Sequence, residues 1–407
     1  MVTTEVHDYY KPYIGHRQNA QNIRTNAPNR IMLLLFTYCW RLCVICKRRT
    51  ISAKLFMAVI LAFPTLCYLV ILKLWNEPRI PVNRGTCCLS VDFLEDICGR
   101  SNCTLPTCSH QSSNSFSEQM KTVGDQHGRA FFIETSGSAT LNFRQACAVE
   151  SLAMHNPNLT VNVLFMGGNI NTSLVTLKKL KEKYDNIHLI STSLDDYMTG
   201  TALEYWYHCN GWRDGPFHVS HLSDGLRFLT LHKYGGYYFD LDVISVRPVT
   251  DFRNFIAAES DDYLGSGVIH ADFKHPIMEL AVKDFATNYR ADIWGHNGPA
   301  LLLRVLKSWC NADYLDTMDY VSCHGFNVLH YSSFCPVDYL EAAKVFFIHR
   351  LANKTGKPIW LTDQVVGVHT WNKLTYSKPI YKNSTQIYSW LARTNCPSIF
   401  SIAPEIF

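Results

Sequence analysis

The run Tyr237-Tyr238-Phe239-Asp240-Leu241-Asp242-Val243, entered through Lys233-Tyr234-Gly235-Gly236, constrains this chain more than any other feature. Two acids two positions apart sit inside an apolar stretch. A buried carboxylate is costly unless it is paired or bound to a cation, so an ordinary buried strand does not account for them. A strand that ends on a divalent cation accounts for both. If the strand continues through the pair, side chains alternate, the two acids share one side and Leu241 points into the core. Mn²⁺, or Mg²⁺ as the alternative, takes oxygen ligands from carboxylates and phosphates. Asp-x-Asp alone occurs often by chance, and a solvated turn at a strand end is its bland explanation. The flanking Gly-Gly-Tyr-Tyr-Phe and Val-Ile-Ser-Val make the pattern specific.

Charge is distributed unevenly. Residues 1–54 carry nine Lys or Arg against two acids, and the remainder carries 29 basic against 32 acidic residues. The basic excess therefore belongs to the N-terminal tail, which argues against a nucleic-acid-binding face on the folded part. Leu55 to Leu72 holds 18 residues without a charge, about the minimum for a membrane span. Lys47, Arg48, Arg49 and Lys54 precede it, which predicts a cytoplasmic N-terminus and a lumenal remainder. Ile31 to Cys46, interrupted by Arg41, reads as a juxtamembrane segment. Sequons at Asn102, Asn158, Asn171, Asn353 and Asn383 suit the secretory lumen. Eleven of the fifteen cysteines follow residue 80, where disulfides are permitted. Their pairing is not readable from spacing.

The expected organisation is a basic tail (1–54), a span (55–74), a Cys-rich stem (75–128), a catalytic domain (129–398) and a short tail (399–407). From about residue 129 strands alternate with helices, which favours an α/β domain with a mainly parallel central sheet. Strands are expected at 130–134, 161–166, 187–190, 237–239, 255–258, 265–270 and 365–369. Asn142 is placed as the cap of a helix over 143–155. Further helices are expected at 175–184, 221–234 (capped by Ser220), 277–289, 299–309 and, as the last, 385–393. Leu203 to Pro216, rich in aromatics, is expected as an irregular loop over a site. No Gly-x-Gly-x-x-Gly follows the first strand, so the dinucleotide fingerprint is absent.

Other candidates surround the acidic pair. Asp224 and Arg227 are three apart on a helix face. They form either a local ion pair or a donor-binding pair in the same cleft. Gly236 and Tyr238 join them as candidate donor-binding positions. Trp294-Gly-His296-Asn297-Gly298-Pro299 opens a helix, where His296 and Asn297 either bond substrate hydroxyls or build a capping turn. His369 either packs as a structural histidine, as lone histidines usually do, or completes the metal shell as a third ligand, its imidazole suiting Mn²⁺ better than Mg²⁺. Trp371 supplies an aromatic wall for a sugar or for packing.

Six segments together resemble one family: Phe132-Ile-Glu-Thr-Ser136, Cys147-x-Val-Glu-Ser151, Leu222-Ser-Asp224 to Arg227, Phe239-Asp-Leu-Asp242, Ile293-Trp-Gly-His296 with Gly298-Pro299, and Val368-His-Thr-Trp-Asn372. Residues 130–397 resemble the alpha-1,4-glycosyltransferases that extend lactosylceramide, together with relatives that add alpha-1,4-linked N-acetylglucosamine. The resemblance implies a GT-A fold, a UDP-sugar donor, Mn²⁺ dependence, retention of anomeric configuration and a type II Golgi membrane protein. It places Asp240 and Asp242 on metal and donor phosphate. The implied donor is UDP-galactose or a UDP-N-acetylhexosamine, and the implied acceptor a glycolipid, with a glycoprotein glycan as the alternative; a homo-oligomer stays open. Thr370 stands where vertebrate members look more like Val. Same-face attack is the preferred route to retention, with Asp224 and Glu259 the nearest carboxylates for a double displacement. The rivals are a non-catalytic lectin-like descendant, which the intact acidic pair speaks against, and a glycosidase, which would need no nucleotide.

Overall fold

Six consecutive buried residues, Arg129–Glu134, form strand β1 inside the main sheet. The computed structural model describes residues 128–209, 211–347 and 357–407. The expected tail, the span and all of the stem before residue 128 lie outside them. Among the described residues no helix is long and apolar enough to cross a membrane.

The remaining strands are β2 (Thr160–Phe165), β3 (Ile187–Ser191), β4 (Gly236–Phe239), β5 (Val243–Ser245), β6 (Phe255–Ala258), β7 (Leu264–Ala271), β8 (Asn327–Leu329) and β9 (Gly367–His369). Among the described residues the helices are α1 (Phe143–His155), α2 (Val175–Lys183), α3 (Leu194–Met198), α4 (Glu204–Cys209), α5 (His218–Tyr234), α6 (Pro276–Asn288), α7 (Pro299–Cys310), α8 (Ala342–Phe347), α9 (Asn372–Thr375), α10 (Ile387–Asn395) and α11 (Pro397–Ile402). Seven strands form one sheet in the order β3-β2-β1-β4-β7-β6-β8, and β5 pairs with β9 in a separate ribbon. Strands β3, β2, β1 and β4 run parallel. Strand β7 runs against both β4 and β6, and β6 runs parallel to β8. The sheet is therefore mainly parallel, as expected.

Alternation along each strand feeds two cores. Phe132, Tyr237 and Phe239 enter the core shared with α1, α2, α8, α10 and α11. Phe131, Ile133 and Tyr238 enter the core shared with α3 to α7. Helices thus cover both sheet faces, the layering a parallel sheet requires. The chain leaves β1 toward β2 and β3, then returns through α5 to β4 on β1's other side. That reversal opens a crevice outside the carboxyl ends of β1 and β4, where open α/β sheets bind ligands. Asp240 is the first residue beyond β4.

Helix α1 begins where Asn142 predicts. Its side chain accepts from the Arg144 and Gln145 N–H groups, and Gln145 returns a bond to the Asn142 N–H. The motif Cys147-x-Val-Glu-Ser151 on this helix clamps the C-terminal region. Cys147 is disulfide-bonded to Cys396, just ahead of α11. Glu150, fully buried, accepts from Tyr184 Oη at 2.7 Å and from the N–H groups of Ser398 and Ile399 at 2.9 and 2.7 Å. It supplies a cap to α11 from a distant part of the chain. Ser151 Oγ accepts from the Ser245 N–H at 2.9 Å and so fixes β5. A second disulfide, Cys310–Cys323, ties the end of α7 to the loop that follows.

Three expectations are corrected. The stretch 203–216 is not an irregular loop: it holds α4 and a 3₁₀ turn at Trp212–Asp214. Trp206 stacks on Trp212 at 5.2 Å and meets Phe285 edge-on at 4.8 Å, so tertiary aromatic packing stabilises it. Helix α5 starts at His218 rather than after Ser220, directly behind Pro216 and Phe217. Helix α10 is not the last, because α11 follows it. The expected short tail, 399–407, is tied to the body: Phe407 exchanges two backbone bonds with Ile380, at 2.9 and 3.0 Å.

Candidate metal and donor site

Strand β4 stops at Phe239, and the acidic pair spans a turn rather than a continuing strand. Asp240 N–H still donates to Gly267 O on β7 at 2.8 Å, and Val243 N–H donates back to Asp240 O at 3.1 Å. Leu241 packs half-buried on the core, as expected, but a turn rather than strand alternation brings the two carboxylates together. Beyond the turn, β5 pairs with β9 so that Val243 lies opposite His369. This ribbon delivers the histidine from far along the chain.

Asp240, Asp242 and His369 each offer one ligand atom, and these atoms all lie within 4.8 Å of one another. His369 Nε2 is 3.1 Å from Asp242 Oδ1. Asp242 Oδ2 accepts from the Asn372 N–H at 2.8 Å. The Asp242 carbonyl accepts from Thr370 N–H and Thr370 Oγ1, both at 2.9 Å. Two carboxylates and one imidazole form a donor set suited to a divalent ion of intermediate hardness.

Arg227 builds the opposite wall. Its Nη2 lies 3.3 Å from Asp240 Oδ1 and 3.4 Å from Asp224 Oδ1. Nη2 also donates to Ser223 Oγ at 3.0 Å, Nη1 donates to Ser266 O and Oγ, both at 2.6 Å, and Nε donates to Ser223 O at 3.3 Å. The guanidinium lies over the Tyr238 ring at 4.9 Å, and Tyr238 Oη donates to Asp240 Oδ1 at 2.6 Å. The helix pair Asp224–Arg227 is therefore real and is also joined to the acidic pair. Gly298 seals Asp224: a Cβ there would meet the carboxylate oxygens at 2.5 and 2.6 Å.

The electrostatics follow from this packing. Burial, helped by Asp240 and opposed by Arg227, pushes Asp224 up to about 6. Burial would also raise Asp242, but the His369 charge and hydrogen bond, with the Asn372 N–H, hold it below the usual carboxylate range. Burial works against the His369 imidazolium, yet Asp242 keeps its pKa well above the ordinary value. These two groups form one carboxylate–imidazolium pair; a metal ion would displace the proton from the imidazole. Glu259, half-buried at the end of β6, is pushed up to about 7 by burial, with His369 opposing and Asp338 adding.

The other expected positions fall elsewhere or act indirectly. Gly236 begins β4, at the opposite end of the strand from Asp240; with φ 97° and the Arg129 backbone against it, its glycine serves the fold. Tyr238 is buried beneath Asp240. Asn297 spends its amide on Arg290, accepting from its N–H at 2.9 Å and donating to its carbonyl at 2.7 Å. It braces the turn but is not the cap, since Gly298 is. His296 Nε2 lies 3.0 Å from Asn288 O, at the end of α6. Trp371 is buried and meets the His369 ring edge-on, so it packs rather than forming an open wall. Sequence reasoning missed Ser266 and Gly267, although glycines inside a strand signal close backbone approach. It also missed the buried thiol of Cys335, which interacts with His369.

Residues 142–261 match the glycosyltransferase sugar-binding region containing a DXD motif, and residues 270–403 match the alpha 1,4-glycosyltransferase conserved region. Lactosylceramide 4-alpha-galactosyltransferase of Pan troglodytes is 30% identical over 278 residues, 68% of this chain and 77% of that protein. The chain belongs to the alpha-1,4-glycosyltransferase family. It is a nucleotide-sugar hexosyltransferase, and the Asp240-Leu241-Asp242 turn is its DXD element. The mouse enzyme of the same name is 27% identical over 86% of this chain and 91% of its own length. A human alpha-1,4-N-acetylglucosaminyltransferase is 28% identical over 66% of this chain and 78% of its own length. Among solved structures, the galactosyltransferase LgtC covers 68% of this chain at a TM-score of 0.37 and 13% identity. That score is too low to define the fold, which rests on the sheet order above.

Proposed function

We propose that this enzyme transfers galactose from UDP-galactose, with retention, in alpha-1,4 linkage to a terminal galactose of a glycosphingolipid such as lactosylceramide. The domain is read as GT-A and is held in the Golgi lumen by the N-terminal segment. The observation that carries this reading is the convergence of Asp240, Asp242 and His369 at the crevice between β1 and β4, beside Arg227. Those three residues would hold the cation, Mn²⁺ rather than Mg²⁺ because of the imidazole. When bound, the ion supplies positive charge against the diphosphate of the departing nucleotide.

The protein's own groups prepare the site. Arg227 and Tyr238 fix one oxygen of Asp240, and the backbone of Thr370 and Asn372 fixes Asp242. Asp224 acts through Arg227, because Gly298 and its own burial keep it from an anomeric carbon. Same-face attack, in which the leaving phosphate takes the acceptor proton, then gives retention without a protein nucleophile. A second reading keeps the chemistry and changes the donor to UDP-N-acetylglucosamine or UDP-N-acetylgalactosamine. Its support is the N-acetylglucosaminyltransferase relative, about as similar as the galactosyltransferases.

The test is a donor–acceptor matrix on the full chain in detergent, with Mn²⁺ added or chelated, and the product linkage read by NMR. UDP-galactose with lactosylceramide is expected to give an alpha-1,4 product that chelation abolishes. No transfer from any UDP-hexose, or transfer indifferent to chelation, would overturn the proposal.

A further inference from the structure

We propose that Trp371 is a positioning residue whose left-handed turn and buried indole hold His369 and Asp242 in their ligating arrangement. The inference rests on the metal-site reading above. Trp371 has φ 55° and ψ 49°. The other non-glycine residues with positive φ are Asn254, Lys274, Asn311 and His324; Trp371 is the bulkiest of these among the described residues. A bulky side chain in this region is strained and persists only where its surroundings enforce it. Here they do. The indole is 6% exposed, its Nε1–H donates to Val337 O at 2.8 Å, and Tyr339 meets it edge-on at 6.0 Å. Its carbonyl accepts from the N–H groups of Leu374 and Thr375 at 2.9 and 3.0 Å.

The strained turn has a local product. It lies between Thr370 and Asn372, whose N–H groups both donate to Asp242, one to the carbonyl and one to Oδ2. The indole then meets the His369 imidazole at 4.1 Å and 71°, an edge-to-face contact that fixes the ring with Nε2 toward Asp242. A ligating histidine ordinarily gives its second ring nitrogen to a carboxylate, a carbonyl or water. His369 Nδ1 is buried with no such partner, and besides Asp242 the ring interacts with the Cys335 thiol. Ring orientation therefore rests on the Asp242 contact and on packing, and Trp371 supplies packing edge-on to the ring.

The experiment titrates Mn²⁺ into the full chain, counts free ion by its EPR signal, and records thermal midpoints alongside. W371L, or W371M if W371L does not fold, is expected to weaken Mn²⁺ binding about 10–100-fold, the usual effect of losing an outer support. W371F keeps an aromatic edge on His369 and is expected to restore most of that affinity. A folded W371L or W371M that binds Mn²⁺ as tightly as wild type overturns the proposal. Asp242→Asn separates the two layers. If it too binds Mn²⁺ like wild type, the metal-site reading itself is wrong; if it loses the ion while W371L retains it, only the role of Trp371 falls.

Discussion

Gly298→Ala tests whether Asp224 is held by backbone contact. The added Cβ would lie 2.5 Å from one carboxylate oxygen and 2.6 Å from the other, where ordinary contact begins near 3.4 Å. The carboxylate would have to retreat by about 0.9 Å, from 2.5 Å to the 3.4 Å of ordinary contact. It cannot swing away freely, since Asp224 is 6% exposed and faces Arg227, whose donors are already committed to Ser223, Ser266 and Asp240. Overpacking of this kind costs about 1–3 kcal/mol, so the thermal midpoint should fall by several degrees. The larger effect is on turnover. Displacing Asp224 shifts Arg227, and Arg227 shifts Asp240; a misplacement near 1 Å can cost about 100-fold in rate. Steady-state kinetics with the accepted donor, beside a melting curve, reads both. In an Asp224→Ala background the colliding oxygens are absent, so G298A should there cost little further stability. Wild-type kcat/KM in G298A, or an undiminished stability cost in the D224A background, would refute the argument.

Three further outcomes follow from the packing. Tyr238→Phe removes the 2.6 Å bond to Asp240 with little change in volume; kcat/KM should drop roughly 10-fold or more while the melting midpoint hardly moves. Glu150→Ala leaves three donors beneath α11 unpaired and should destabilise by about 3 kcal/mol or more; urea midpoints measure the loss, and amide exchange should localise it to residues 397–402. Lys233 is pushed by burial down to about 8, so the folded chain binds fewer protons than the unfolded one between about 8 and its ordinary 10.5. Stability contributed by this group should therefore rise with pH across that window, and Lys233→Met should flatten that rise in urea midpoints taken from pH 7 to 10.5.

What was legible in the sequence was whatever a short stretch decides by itself. Asn142 capping α1, the buried run of β1 and the Gly235 end of α5 all follow from local chemistry. The acidic pair was legible because burying charge in an apolar run demands a partner. Elements fixed from afar were not. Helix α11 has six residues and begins at a proline, and its cap comes from Glu150 on another helix. Helix α4 is equally short, and its Trp206 is buried against Phe285 of α6 and against Trp212. The site divides in the same way.

Identity at the site was readable, but geometry was not. Leu241 pointed inward as alternation predicts, yet the carboxylates meet across a turn, because β4 ends at Phe239 and β5 must start at once to pair with β9. That pairing also explains why His369 reaches the acids. Val243 opposite His369 is a backbone register, and a register is a property of two strands, invisible in either alone. The candidates whose side-chain donors turn inward, Asn297 and Trp371, share a signature. Each is a polar or aromatic residue beside a glycine or in a turn, where hydrogen bonding to backbone competes with binding a ligand. Burial decides between the two uses. A residue that must touch a sugar needs a surface open to it; Asn297 at 1% and Trp371 at 6% exposure have almost none, and their chemistry is turned on the protein itself.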